Sequence, residues 1–196
     1  MLEPGQRHRS ESGLTLVELL VVVSIFGILL SGVYGVLIIV QRQTADISTR
    51  ADAVDQARLA LDQIDRQVRS GNVLIDPVVD QSAWPLSMRV YTQANGDQRC
   101  VQWQVYQGQL RTRSWSSAGL SYSTVSSWAV IARRLVNSST DVPFALQGAT
   151  TPYGSRLIDV RLLVGTSGQP VEVQSSLSGR NTEYGYDPNV CNPIPP

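Results

Sequence analysis

Glu18 stands just inside an apolar run that otherwise has the length and composition of a membrane span. The 22 positions from Leu19 through Val40 carry no charge, against the roughly 20 residues a spanning helix needs. Ser24, Ser31 and Tyr34 are the polar interruptions, and their hydroxyls can bond back to the helix. Gly27, Gly32 and Gly35 lower helix propensity but let helices approach closely. Arg7 and Arg9 precede the run, so the amino end is expected to stay cytoplasmic and the remainder to lie outside. A carboxylate inside such a span costs on the order of 2.5–3.5 kcal/mol, so it implies a partner and a function.

Three readings compete. A secretory signal has a shorter apolar core with a small-x-small cleavage site after it. This run is longer, and "VQRQTADIS" comes next without such a site. A plain signal anchor fits the length but leaves Glu18 unexplained. The third reading starts from "SG" and the adjoining "LTLVE", Ser12 to Glu18. This segment resembles the type IV prepilin signal, the leader shared by type IV pilins and type II secretion pseudopilins.

The resemblance implies that a prepilin peptidase/N-methyltransferase cuts the Gly13–Leu14 bond and methylates the new amino terminus at Leu14. Glu18 then occupies the family's glutamate position. Leu14 departs from the phenylalanine most frequent there, although other apolar residues occur. Cleavage creates an ammonium on Leu14, and methylation keeps its charge. Glu18 of one subunit can neutralise the ammonium of a neighbour packed with an axial stagger. In lipid or a helical bundle that pair is far less screened than in water. The implied partners are other pilin or pseudopilin subunits, an inner-membrane assembly platform and membrane lipid.

Beyond the span, Ile47, Ala51, Val54, Ala57, Leu61, Ile64 and Val68 recur in steps of three and four, a stripe on one helix face. Asp46–Arg50, Asp62–Arg66 and Asp65–Arg69 set acid before base at four-residue spacing. From the span onward proline is absent until Pro77, and Gly71-Asn72 offers a stop. One helix is therefore expected from Leu14 to about Ser70, about 85 Å long. A free coiled coil is the weaker reading of its second half, because the stripe is mostly alanine and isolated aliphatics.

The tail alternates. "LSMRVYT" (Leu86–Thr92), "RCVQWQVY" (Arg99–Tyr106) and "QLRTRSW" (Gln109–Trp115) read as a three-stranded antiparallel meander, with turns at "ANGD" and Gln107-Gly108. In the middle strand Val101, Trp103 and Val105 are expected to face the core. "SWAVIARRLVNSS" reads equally as a short helix or a strand. "SRLIDVRLLVG" and "PVEVQSSLSGR" read as a further strand pair joined by "TSGQ", and the proline-rich end as a loop. The expected fold class is α+β: a long N-terminal helix, membrane half plus amphipathic half, packed on an antiparallel β-sheet. The expected segments are a cleaved leader at 1–13, a transmembrane and assembly helix at 14–40, an amphipathic continuation at 41–70 and a β-rich globular domain at 71–196. The order of elements resembles the larger minor pilins and J-type pseudopilins more than a compact major subunit.

Little chemistry is available. The single histidine, His8, lies in the expected leader, so the mature chain offers no histidine for a triad or a metal. Asp76 and Asp80 flank Pro77 in an apparent loop, poorly placed for acid–base work. No phosphate loop or dense acidic cluster is present, and neither a cofactor nor a metal is expected. Cys100 and Cys191 are not a CxxC pair. In an exported chain they are a candidate disulfide, with two buried free thiols as the alternative.

Net charge is +0, with 16 acidic side chains against 16 basic ones, all of them arginine. From Gly71 onward nine arginines face eight acids, which does not favour nucleic acid. Arg111, Arg113 and Trp115 share a strand face that could bind phosphate and stack a base. A solvated face is the plainer reading, and DNA is not an expected partner. Asn137 begins "NSS", a sequon without meaning beside a prokaryotic leader.

The sequence is thus expected to encode a non-enzymatic, minor-class subunit of a pilus-like filament, single-pass in the membrane before assembly and in a cell-surface or periplasmic filament after it. A minor pseudopilin of a type II secretion system is one alternative. An uncleaved, signal-anchored surface domain that binds a ligand or DNA is another.

Overall fold

The computed structural model describes residues 15–93, 96–116, 125–147, 154–165, 168–179, 187 and 189–196. Helix α1 spans Leu16–Arg69, and the chain divides into two compact units, Met1–Ile47 and Ser48–Pro196. In the first unit the bulky apolar side chains from Leu16 to Val40 are all exposed. The serine hydroxyls among them are bonded within the helix: Ser24 Oγ donates to Leu20 O at 2.8 Å and Ser31 Oγ to Ile28 O at 2.7 Å. That is the arrangement a helix without water requires.

The second unit holds β1 (Gly71–Ile75), α2 (Pro77–Asp80), β2 (Ser87–Thr92), β3 (Arg99–Tyr106), β4 (Gln109–Ser116), β5 (Ala129–Arg133), β6 (Phe144–Leu146), β7 (Leu157–Val164) and β8 (Val171–Ser178). The fold is α+β, a long N-terminal helix and then antiparallel sheet. One sheet is ordered β1-β2-β3-β4-β5 and a second β6-β7-β8. They meet where Leu135 bridges Val164 and Gly165 N–H donates to Arg134 O at 2.6 Å. The three-stranded meander is thus the centre of a wider sheet. "SWAVIARRLVNSS" resolves as a strand, β5.

One core joins the helix to both sheets. Ala53, Ala57, Ala60, Ile64 and Val68 of α1 pack with Met88, Val90, Trp103 and Leu110 of the first sheet and Ile158, Val160 and Leu162 of the second. Small alanines let the helix lie close to the strands. The buried stripe differs from the expected one: Ile47 and Ala51 are exposed, and Ala53 and Ala60 take part. Trp103 is fully buried with its indole N–H donated to Gln67 Oε1 at 2.7 Å, the partner such a buried group needs.

The helix stops where expected, and strand β1 begins at once. Ser70 Oγ donates to Arg66 O at 2.8 Å, and Thr92 Oγ1 donates to Gln67 O at 3.0 Å. A Cβ on Gly71 would lie 2.8 Å from the Val90 side chain and 2.9 Å from Val68 O, so only glycine fits this close turn from helix into β1. The hairpin at Gln107-Gly108 uses two positive φ values, 48° and 72°, the primed geometry of tight hairpins.

Candidate functional site

The first turn of α1 carries the sequence's assembly candidate. The Glu18 N–H donates to Thr15 Oγ1 at 3.3 Å. Thr15 therefore caps the helix, and Thr15-x-x-Glu18 has the spacing of a capping box, whose acid also favours a helix N-terminus. Thr15 is a residue that sequence reasoning missed, although the T-x-x-E spacing was there to signal it. Gly13 and Leu14 lie outside the described residues. The turn offers an exposed carboxylate at the head of an exposed apolar helix.

The outer face of the five-stranded sheet was expected to be solvated, and it is not. Register aligns Arg89, Gln102 and Arg113 in one cross-strand row and Tyr91, Cys100 and Trp115 in the next. Residues 189–196 lie over these rows. The Sγ atoms of Cys100 and Cys191 are bonded, with their Cα atoms 5.6 Å apart. Val73, Tyr91, Trp115, Val190 and Ile194 pack around the bond.

Arg113 is 4% exposed and donates to Gln102 Oε1, Pro195 O and Pro196 O at 2.9, 2.6 and 2.9 Å. Burial, reinforced by the neighbouring Arg111 charge, lowers its pKa to about 10. Arg111 lies between the rings of Tyr106 and Trp128, 4.1 and 4.2 Å from their centroids, and burial lowers its pKa too. Trp84 and Trp128 also flank Arg113 at 4.6 and 4.5 Å. The alternating rings and guanidiniums are stacked on one another. The Arg111–Arg113–Trp115 face is therefore not an open phosphate-and-base platform, because its donors and ring faces are already engaged.

The remaining candidates resolve into structural roles. Asp76 caps α2 through Val78 N–H at 3.0 Å, and Asp80 forms a buried bidentate ion pair with Arg89 at 2.6 and 2.7 Å. They do not form an acid pair. Asn137 binds Asp141 O, Arg161 O and Leu163 N–H, which ties a loop to β7. Among the described residues no group of three or more His, Cys, Asp or Glu side chains is placed to hold a metal ion.

Residues 8–34 match the family model described as the prokaryotic N-terminal methylation motif. No curated protein matches the chain. The matched stretch contains Gly13, Leu14, Glu18 and the start of the apolar run. The chain carries a prepilin-type signal of the kind found in type IV pilins and pseudopilins.

Proposed function

We propose that this protein is a minor subunit of a type IV pilus-like filament. It enters the membrane through residues 14–40 with its amino end cytoplasmic. A prepilin peptidase/N-methyltransferase removes residues 1–13 and methylates Leu14. An assembly platform then moves the subunit from bilayer to filament. The observation that carries this reading is the methylation motif set on a helical stretch, Leu16 to Val40, whose bulky apolar side chains are all exposed. At about 25 cal/mol per Å², moving such a helix from lipid into water is prohibitive. It must pass directly from lipid into a bundle of like helices. There the Leu14 ammonium and the Glu18 carboxylate of adjacent subunits compensate each other.

The chemistry is the same in a type II secretion pseudopilin. Pull-down of the full chain separates the two systems: recovery with pilus components supports the filament reading, and recovery with secretion components replaces it. The mass of the membrane-extracted chain tests processing. The expected mass lacks Met1–Gly13 and gains one methyl group. An intact, functional precursor would overturn the proposal in favour of a signal-anchored surface domain. Gly13→Ala should leave the leader in place.

A further inference from the structure

Three distant pieces of chain converge on the covered face of the five-stranded sheet. Arg89 commits Nε and Nη2 to Asp80, while its Nη1 donates to Cys191 O and to Asn192 Oδ1, both at 2.9 Å. Arg113 holds Pro195 O and Pro196 O. Both guanidiniums are almost wholly buried, and both are oriented by the protein around them, through Asp80 and Gln102 respectively. Arg89 thus grips the carbonyl of the same residue whose sulfur meets Cys100, one row along the sheet. These are charge-assisted bonds of the stronger kind. They hold a segment whose cysteine is 91 residues from its partner.

We propose that Arg89 and Arg113 are positioning residues: they seat residues 189–196 on the finished sheet and so bring Cys191 to Cys100 before the disulfide forms. The segment, once bonded, seals the disulfide from solvent thiols. This seating is independent of whether the chain joins a filament. Closure needs a disulfide oxidant of the glutathione class. One cysteine thiolate attacks it and releases a reduced thiol. The other thiolate then displaces a second reduced thiol from the mixed disulfide. Two electrons and two protons leave with the oxidant's products. Cys100 and Cys191 are 0% and 1% exposed, so a reductant reaches the sulfurs only when the segment lifts.

The test uses the full chain, reduced and folded in detergent, with oxidised glutathione as the probe and alkylation before mass measurement as the readout. Arg113→Met keeps an apolar stem between Trp84 and Trp128 and should slow closure about tenfold, with partial recovery in Arg113→Lys. Asp80→Asn combined with Arg89→Met removes both buried charges together and should slow it comparably. The Cys100→Ser, Cys191→Ser double variant should keep amide-exchange protection in residues 190–196, which Arg113→Met should lose. The oxidised wild type should resist dithiothreitol until denaturant is added. Closure of both arginine variants at the wild-type rate would overturn the proposal. So would loss of protection in the double-serine variant as complete as in Arg113→Met. Rapid reduction of the native wild type would overturn the seal.

Discussion

Residues 19–40 and residues 53–68 are both helical, yet they solve opposite problems. The first stretch is apolar on every side, bulky, and exposed in the chain. The second buries one face of three alanines, Ile64 and Val68, and turns its charges outward. A helix apolar all round has to be surrounded by something apolar, whereas a one-sided helix needs only one neighbouring surface. The second stretch finds that surface in its own sheets. The first finds none in its own unit, and the proposed function supplies it from lipid and from other subunits. On that proposal, internal stability and assembly are written on different stretches of helix, and substitutions should separate them.

Glu18→Ala gives the largest expected effect and confines it to assembly. The variant should be cleaved normally, while filament incorporation should fall by the equivalent of about 3–5 kcal/mol, the usual loss when one partner of a buried ion pair is removed. Quantifying processed subunit in the membrane against subunit in sheared filaments checks it, and incorporation at the wild-type level would refute the pairing.

Ile64→Ala should cost about 2–5 kcal/mol of folding stability, read from denaturant unfolding of the full chain in detergent. Ile38→Ala, in the exposed stretch, should shift the same transition by less than about 0.5 kcal/mol. Equal losses at both positions would erase the distinction.

Ala60→Leu overfills the site beneath the sheet and should cost about 1–3 kcal/mol. Val36→Leu should be neutral in the same unfolding experiment.

The smallest effect lies on the solvated face of the second sheet. The Arg161 guanidinium, bonded to Glu172 at 2.8 and 3.2 Å, holds that carboxyl below its ordinary range. A depressed carboxyl stabilises the fold above its unfolded pKa, and the contribution fades as pH falls through the lowered value. Glu172→Gln should therefore weaken the fold slightly at neutral pH and not at all below that lowered value. Acid titration of the unfolding midpoint will show the two curves merging.

Much of the helix was legible in the sequence. Uninterrupted apolarity marks the first stretch, and steps of three and four mark the second. The buried face is legible only in part: the spacing places Ala57, Ile64 and Val68 correctly but points to Ala51 where the structure buries Ala53. Alanine fits either face equally well, so the sheet's position made the choice. β1 and β6 escape a sequence reading because five and three residues carry too little alternation. Asp76-Pro77 looks like loop although it is an N-cap with proline at the first turn. At the candidate site, Glu18 was legible because a charge beside an apolar run is conspicuous. Thr15 was missed although its T-x-x-E spacing was present, because that spacing marks a cap only when the helix begins at Leu16 and not at the expected Leu14. Arg89 alternates with Met88 and Val90 as a solvated strand side chain does, and Arg113 stands between the polar Thr112 and Ser114, where nothing in the pattern marks it as buried. Residues 189–196, folded back from far along the chain, turn that face into an interior together with Asp80, Trp84 and Trp128.

The sequence alone determined the apolar run, the polar residues before it and the placement of one acid between them, because these depend on local hydrophobicity and spacing. Tertiary structure decided which alanines are buried and that two rows of the larger sheet lie under cover. It also decided where the two cysteines meet. Those outcomes depend on which distant segments come to lie against each surface, and no local pattern encodes that.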